Sequence, residues 1–236
     1  VSVTDVLDGW LRASDPAVIF DFNGTLSDDE PILFDIFGTL FREHLGWAMT
    51  AAEYRSELLG RSDREIIEYA VTRHGHGTPE EVTDLLHRRQ RDYQARVAQH
   101  NPIAEDTVGL VELLAGNGIP LAIVTGAQRD DVLAVLRHSP VGELFGVLVA
   151  EEDVGRGKPH PEGYTAAARL LRRRPADILV FEDSVPGVQA ALAAGMHCIA
   201  VSAEPEPELA SCAPAVVPAL AAGVVEDALS RRPPAT

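Results

Sequence analysis

Five short apolar runs, each stopped by a turn signal, constrain this chain more than any other feature: residues 17–21, 121–125, 146–150, 178–182 and 197–201. Each is about five residues long, bulky or β-branched, with little polar alternation. A strand with one wet face alternates polar and apolar residues, whereas a strand covered on both faces, as in parallel sheets, does not. Helix-length segments separate the later runs, at 106–117, 129–137, 161–174 and 185–194, the first closing on Gly116-Asn117-Gly118 and the last on Gly195. Strands alternating with helices predict an α/β, doubly wound, Rossmann-like parallel sheet.

Residues 30–100 break that rhythm. Segments 31–45, 51–59, 62–74 and 79–99 all read as helices, and His74-Gly75-His76-Gly77-Thr78-Pro79 reads as a turn followed by an N-terminal cap. The expected division is therefore a core of residues 1–28 plus 101–236, interrupted by a helical insert at 29–100. The tail from Arg231 to Thr236 is expected to fray. A length of 236 residues suits one core domain with a modest second one.

Composition narrows the function classes. The formal charge is −16, from 36 acidic and 20 basic residues, which argues against nucleic acid as a partner. No apolar run approaches the roughly 20 residues needed to span a bilayer, and the start lacks the pattern of a signal peptide. Cys198 and Cys212 alone make neither a disulfide framework nor a zinc site. The expectation is a soluble, cytoplasmic protein with no membrane partner. No basic patch or apolar seam announces a partner, so a monomer or weak homodimer is expected.

In such sheets ligands sit beyond the carboxyl ends of the strands. The first run delivers Asp21-Phe22-Asn23-Gly24-Thr25-Leu26 and the second Thr125-Gly126. The loop after the third carries Gly157-Lys158-Pro159, and the fourth ends in Glu182-Asp183-Ser184. Lys158 is the only lysine among the 20 basic residues. Three carboxylates, a hydroxyl and that lysine converge on one sheet edge, a site for a divalent metal and a phosphoryl group. Glu182 and Asp183 could also cap the helix that follows.

These residues, in this order and spacing, resemble the four motifs of the haloacid dehalogenase-like hydrolase superfamily. The helical insert looks like the cap of its phosphoglycolate phosphatase and β-phosphoglucomutase branch. Asp28-Asp29-Glu30-Pro31 is similar to that branch's acidic linker, and Leu59-Gly60-Arg61-Ser62 to its substrate-specificity loop. The resemblance implies a Mg²⁺-dependent phosphatase acting on a small phosphorylated metabolite. Asp21 would attack phosphorus and form an aspartyl-phosphate. Mg²⁺ would be held by Asp21, the Asn23 backbone carbonyl and Asp183, with Glu182 behind them or as an occasional ligand. Lys158 would neutralise charge between Asp21 and the phosphoryl group, and Thr125 with the amides of Gly24 and Gly126 would hold the other oxygens. Arg61, Arg64 and His44 are candidate substrate contacts from the cap; each also reads as a solvated helix residue.

Two features limit the resemblance. The family's phosphatases carry an acid/base aspartate two residues after the nucleophile, where this chain has Asn23. An amide cannot shuttle a proton. Another residue such as Asp28, Asp29, Glu30 or His44 could supply it, the substrate could have a good leaving group, or the asparagine could be an engineered trap. The alternative reading is a catalytically weak, phosphometabolite-binding regulator. Second, residues 34–40 (Phe-Asp-Ile-Phe-Gly-Thr-Leu) mimic the first motif and suggest a dehalogenase with Asp35 as nucleophile. Leu33, Phe37, Leu40 and Phe41 share a helical face, however, so Asp35 is read as a helix residue. Phosphonoacetaldehyde hydrolysis needs a cap lysine that this chain lacks, and mutase chemistry leans on the missing aspartate.

Overall fold

Six strands form one all-parallel sheet: β1 (Ala17–Phe20), β2 (Leu121–Val124), β3 (Phe145–Val149), β4 (Ile178–Glu182), β5 (His197–Val201) and β6 (Val216–Val217), in the order β3-β2-β1-β4-β5-β6. The computed structural model describes residues 2–58 and 61–231. β1 is central, with Ile19 opposite Ala122 on one side and Val180 on the other. Its four residues have no exposed surface. Ala17 and Ile19 pack with Tyr164, Ala167 and Val188 on one face, while Phe20 stacks on Phe181 at 5.4 Å. Burial on both faces is why these runs do not alternate.

The chain leaves β1 toward β2 and β3 on one side and toward β4, β5 and β6 on the other. Strand order therefore reverses at β1, which makes its carboxyl end, between β2 and β4, the place where sheets of this kind bind ligands. The fold is the α/β doubly wound one expected.

Several details differ from the expectation. β3 is an edge strand with Gly146 exposed and Phe145, Val147 and Leu148 half-buried, so it is not covered on both faces. β6, only two residues between Pro214 and Pro218, was too short to read. Helix Val3–Leu11 was also unread; Ser2 and Asp5 close its first turn reciprocally, and its buried Trp10 donates to the Ala17 carbonyl at 3.2 Å. The helix expected over 161–174 runs Glu162–Leu171, because Arg172 turns left-handed (φ 56°) and Arg173 N–H closes on the Ala168 carbonyl. Arg231, expected to fray, pairs with Asp8 at 3.0 Å; residues 232–236 lie outside the described residues.

The chain divides into two compact units, one of residues 1–28 with 103–236 and one of residues 29–102. The second is helical: Glu30–Leu45, Ala51–Glu53 continuing as a π-helix through Tyr54–Leu58, Asp63–His74 and Pro79–Gln99. Thr50, Ser62 and Thr78 cap three of its segments. Phe37, Phe41, Leu58, Ile67, Tyr93 and Val97 are fully buried. Asp35 lies on the exposed side of the first helix, paired with Arg96, while Ile36, Phe37 and Leu40 of the first-motif mimic are buried; Asp35 is a helix residue, as read. Among the described residues no helix is long and apolar enough to cross a membrane.

Candidate active site

Asp21 follows β1 directly, its N–H extending the ladder to the Phe181 carbonyl at 2.9 Å. A tight turn follows. Ser27 N–H bonds the Phe22 carbonyl, and Gly24 N–H bonds the Ser27 carbonyl, each at 2.9 Å. Asn23 sits in this turn, bridged to Ser27. Gly24 is left-handed (φ 79°), and a Cβ there would lie 2.8 Å from Asp183 Cγ. Glycine is therefore required twice, by conformation and by the carboxylate behind it. Thr25 ties the turn to β4 by donating to Asp183 Oδ1 at 3.1 Å.

The other strand ends converge here. Thr125 N–H donates to the Val149 carbonyl at 3.0 Å, and its hydroxyl accepts from Ala127 N–H at 3.0 Å. Gly126 is exposed, and a Cβ there would meet nothing within 4 Å, so no protein atom demands glycine at that position. Lys158, from the loop after β3, reaches both Asp21 Oδ1 and Glu182 Oε1. Glu182 has no exposed surface and accepts five hydrogen bonds. Lys158 and the Tyr164 hydroxyl (3.0 Å) meet Oε1; Asp183 N–H (2.9 Å), Ser184 N–H (2.9 Å) and the Ser184 hydroxyl (3.0 Å) meet Oε2. Ser184 also accepts from Gly187 N–H at 3.1 Å, so the segment caps its helix Val185–Ala193 as well as serving the site.

Charge in this cluster does not balance. Burial, reinforced by Glu182, pushes the Asp183 carboxyl up to about 7 against the pull of Lys158 and Thr25. Burial likewise raises Asp21 well above the carboxylate range despite Lys158, with Glu182 and Asp183 adding to the rise. Glu182 goes the other way: burial opposes its charge, but Lys158 and Ser184 outweigh it and hold it low. Burial also works against the Lys158 ammonium, and Asp21 with Glu182 overcomes it and keeps it charged. Three carboxylates thus share one cation, and two of them are driven toward protonation. Asp21, Glu182 and Asp183 bring oxygens within 4.8 Å of one another. Hard oxygen donors with excess negative charge fit a divalent cation such as Mg²⁺. Glu182 belongs to that cluster, but its hydrogen bonds already engage both of its oxygens.

The remaining candidates lie in the helical unit. Arg61 is exposed, its guanidinium 5.3 Å from the Tyr69 ring centroid. Arg64 pairs with Glu68 at 3.6 Å, and His44 is exposed in the last turn of its helix. Leu59 and Gly60 of the expected specificity loop lie outside the described residues. Sequence reasoning missed Thr25, Tyr164 and Gly187. A Cβ on Gly187 would fall inside the Glu182 carboxylate, and a glycine in a helix's first turn was the one available signal.

The family model for haloacid dehalogenase-like hydrolases matches residues 18–201. The chain is 31% identical over 186 residues to validoxylamine A 7'-phosphate phosphatase of Streptomyces hygroscopicus subsp. limoneus, covering 78% of this chain and 84% of that protein. It is 32% identical over 210 residues to (DL)-glycerol-3-phosphatase 2 of Arabidopsis thaliana, covering 84% and 82%. Among solved structures, CbbY from Rhodobacter sphaeroides in complex with phosphate superposes with a TM-score of 0.74 at 28% identity, covering 87% of this chain and 95% of that one.

Proposed function

The chain belongs to the haloacid dehalogenase-like hydrolases, and from that premise we propose that it is a phosphoric monoester hydrolase acting on a small phosphorylated metabolite, with Asp21 as nucleophile. The observation that carries this reading is the single ammonium of Lys158 held between Asp21 and Glu182 at the end of the central strand. Relatives that hydrolyse phosphorylated metabolites support the substrate class.

An Asp21 carboxylate oxygen attacks phosphorus in line. The new O–P bond forms as the bond to the leaving oxygen breaks, and the aspartyl-phosphate is then hydrolysed by water attacking phosphorus. Lys158, touching Asp21, offsets the negative charge gathering on the transferred group. Thr125 and the backbone amide of Gly126 orient its remaining oxygens; the Gly24 amide, expected to join them, is already engaged by the Ser27 carbonyl. Asp21, Asp183 and the Asn23 carbonyl would hold Mg²⁺, which supplies charge neutralisation between carboxylate and phosphate when bound. Glu182 holds Lys158 rather than serving as a ligand. In the helical unit, His44 and Arg61 are the proposed substrate contacts.

Asn23 decides which substrates turn over well. Its amide gives the leaving oxygen no proton, a deficit of about 10²–10⁴-fold for poor leaving groups and little for acyl or aryl phosphates. The test is Mg²⁺-dependent phosphate release from acetyl phosphate, p-nitrophenyl phosphate and a sugar phosphate, before and after Asn23→Asp. Turnover of the first two, with a gain of about 10²-fold or more on the sugar phosphate from the aspartate, is the expected result. Efficient sugar-phosphate turnover by the asparagine form would assign proton transfer to another side chain. Tight binding without turnover by either form would replace the reading with that of a phosphometabolite-binding protein, the second reading that Asn23 favours.

A further inference from the structure

Tyr164 is the third residue of helix Glu162–Leu171, which begins four residues after Lys158. Glu162 Oε1 accepts from Gly155 N–H at 2.8 Å, so the lysine loop and the start of that helix are clasped together. Tyr164 is 1% exposed. Its hydroxyl donates to Glu182 Oε1 at 3.0 Å, and its ring centroid lies 5.5 Å from Lys158 Nζ. Lysine, glutamate and tyrosine thus close a triangle with Asp21 outside it, bonded to the ammonium alone among the three.

We propose that Tyr164 is a positioning residue for Lys158, acting through Glu182 to keep the ammonium shared with Asp21. This rests on the phosphatase reading above. The argument is one of competition. The Lys158 ammonium lies between two acceptors, Asp21 Oδ1 and Glu182 Oε1, and sits closer to whichever draws it harder. A second donor on Glu182 Oε1 diverts part of that oxygen's charge and weakens its pull. The ring face beneath the ammonium adds an attraction that favours neither carboxylate. Without the hydroxyl, Glu182 Oε1 has Lys158 as its one strong donor and draws the ammonium away from Asp21 and from the group being transferred.

Tyr164→Phe removes the hydroxyl and keeps the ring volume. Acetyl phosphate with saturating Mg²⁺ is the probe, because its leaving group needs no proton. The expected result is a fall in kcat of about tenfold with KM changed by less than about twofold, the pattern of an interaction felt in the transition state. In a Lys158→Arg background the same substitution should cost less than about twofold, because the group it positions has gone. An unchanged kcat beside a lowered thermal midpoint would overturn the proposal and leave Tyr164 a packing residue. So would losses that simply multiply in the double variant. If the parent protein releases no phosphate, or Lys158→Arg matches it, the underlying reading fails and the proposal with it. That outcome is distinct from a neutral Tyr164→Phe in an enzyme that still depends on Lys158.

Discussion

Glu182→Gln tests the charge pattern of the site directly. The side chain has no exposed surface, and both of its oxygens face donors only. An amide offers one acceptor oxygen and one donor nitrogen. Turned with its oxygen toward Ser184 and Asp183 N–H, it points its NH₂ at the Lys158 ammonium. Turned the other way, the NH₂ meets two backbone N–H groups. The Tyr164 hydroxyl can rotate to accept, but neither the ammonium nor the amides can. Removing one partner of a buried ion pair costs about 3–5 kcal/mol. Asp21 still pairs with Lys158, so the lower end applies, about 3 kcal/mol. For a domain of this size each kcal/mol shifts the midpoint by about 2–4 °C, giving a fall of roughly 6–12 °C. Thermal unfolding followed by circular dichroism at pH 7.5 in EDTA, which removes metal binding from the comparison, measures it. A midpoint within about 2 °C of the parent would show that Glu182 is not a stabilised buried charge, and the account of Lys158 would go with it.

Gly187→Ala places a methyl group inside the Glu182 carboxylate. Alanine ordinarily improves a helix by about 1 kcal/mol over glycine, yet here a loss of about 1–3 kcal/mol from overpacking and at least about tenfold slower phosphate release are expected. Unchanged stability and turnover would refute the placement. The metal-free protein should also lose stability as pH rises from about 4 to 7. Asp183, near 7 when folded against about 3.9 unfolded, binds more protons in the folded state across that window. Asp183→Asn in EDTA should flatten the slope in denaturant titrations, and an unchanged slope would exclude Asp183 as its source.

What the sequence revealed divides along a physical line. β1, β2, β4 and β5 were legible because burial on both faces leaves a continuous apolar run, a local property. β6 was not, since two valines between prolines owe their pairing to β5 alone. The same holds at the site. Asp21, Thr125 and Asp183 could be read from their position at strand ends, which topology brings together, and Lys158 from its place in the loop after β3 and from being the one lysine of the sequence. Tyr164 and Gly187 act on Glu182 by a hydrogen bond and by the absence of a Cβ; Tyr164 leaves no pattern in its own neighbourhood, and Gly187 only a glycine in a helix's first turn. Charge balance was half legible: the composition showed one lysine facing three carboxylates, but which of them stays charged depends on hydrogen bonds that only the folded chain displays.

The solitary lysine follows from that geometry. Every other basic side chain is arginine, yet the group between β1 and β4 must touch Asp21 Oδ1 and Glu182 Oε1, two separate carboxylates, with the Tyr164 ring beside it. An ammonium is a compact charge whose three donors can diverge. A guanidinium is a flat fork suited to gripping one carboxylate with two parallel bonds. Placed at position 158 it would pair with one acid, leave the other short of its charge, and require more room than a side chain that is 18% exposed between a buried strand end and the buried Tyr164 ring is given. Whatever bias set the basic composition of this chain, the shape of the site opposes it at one residue.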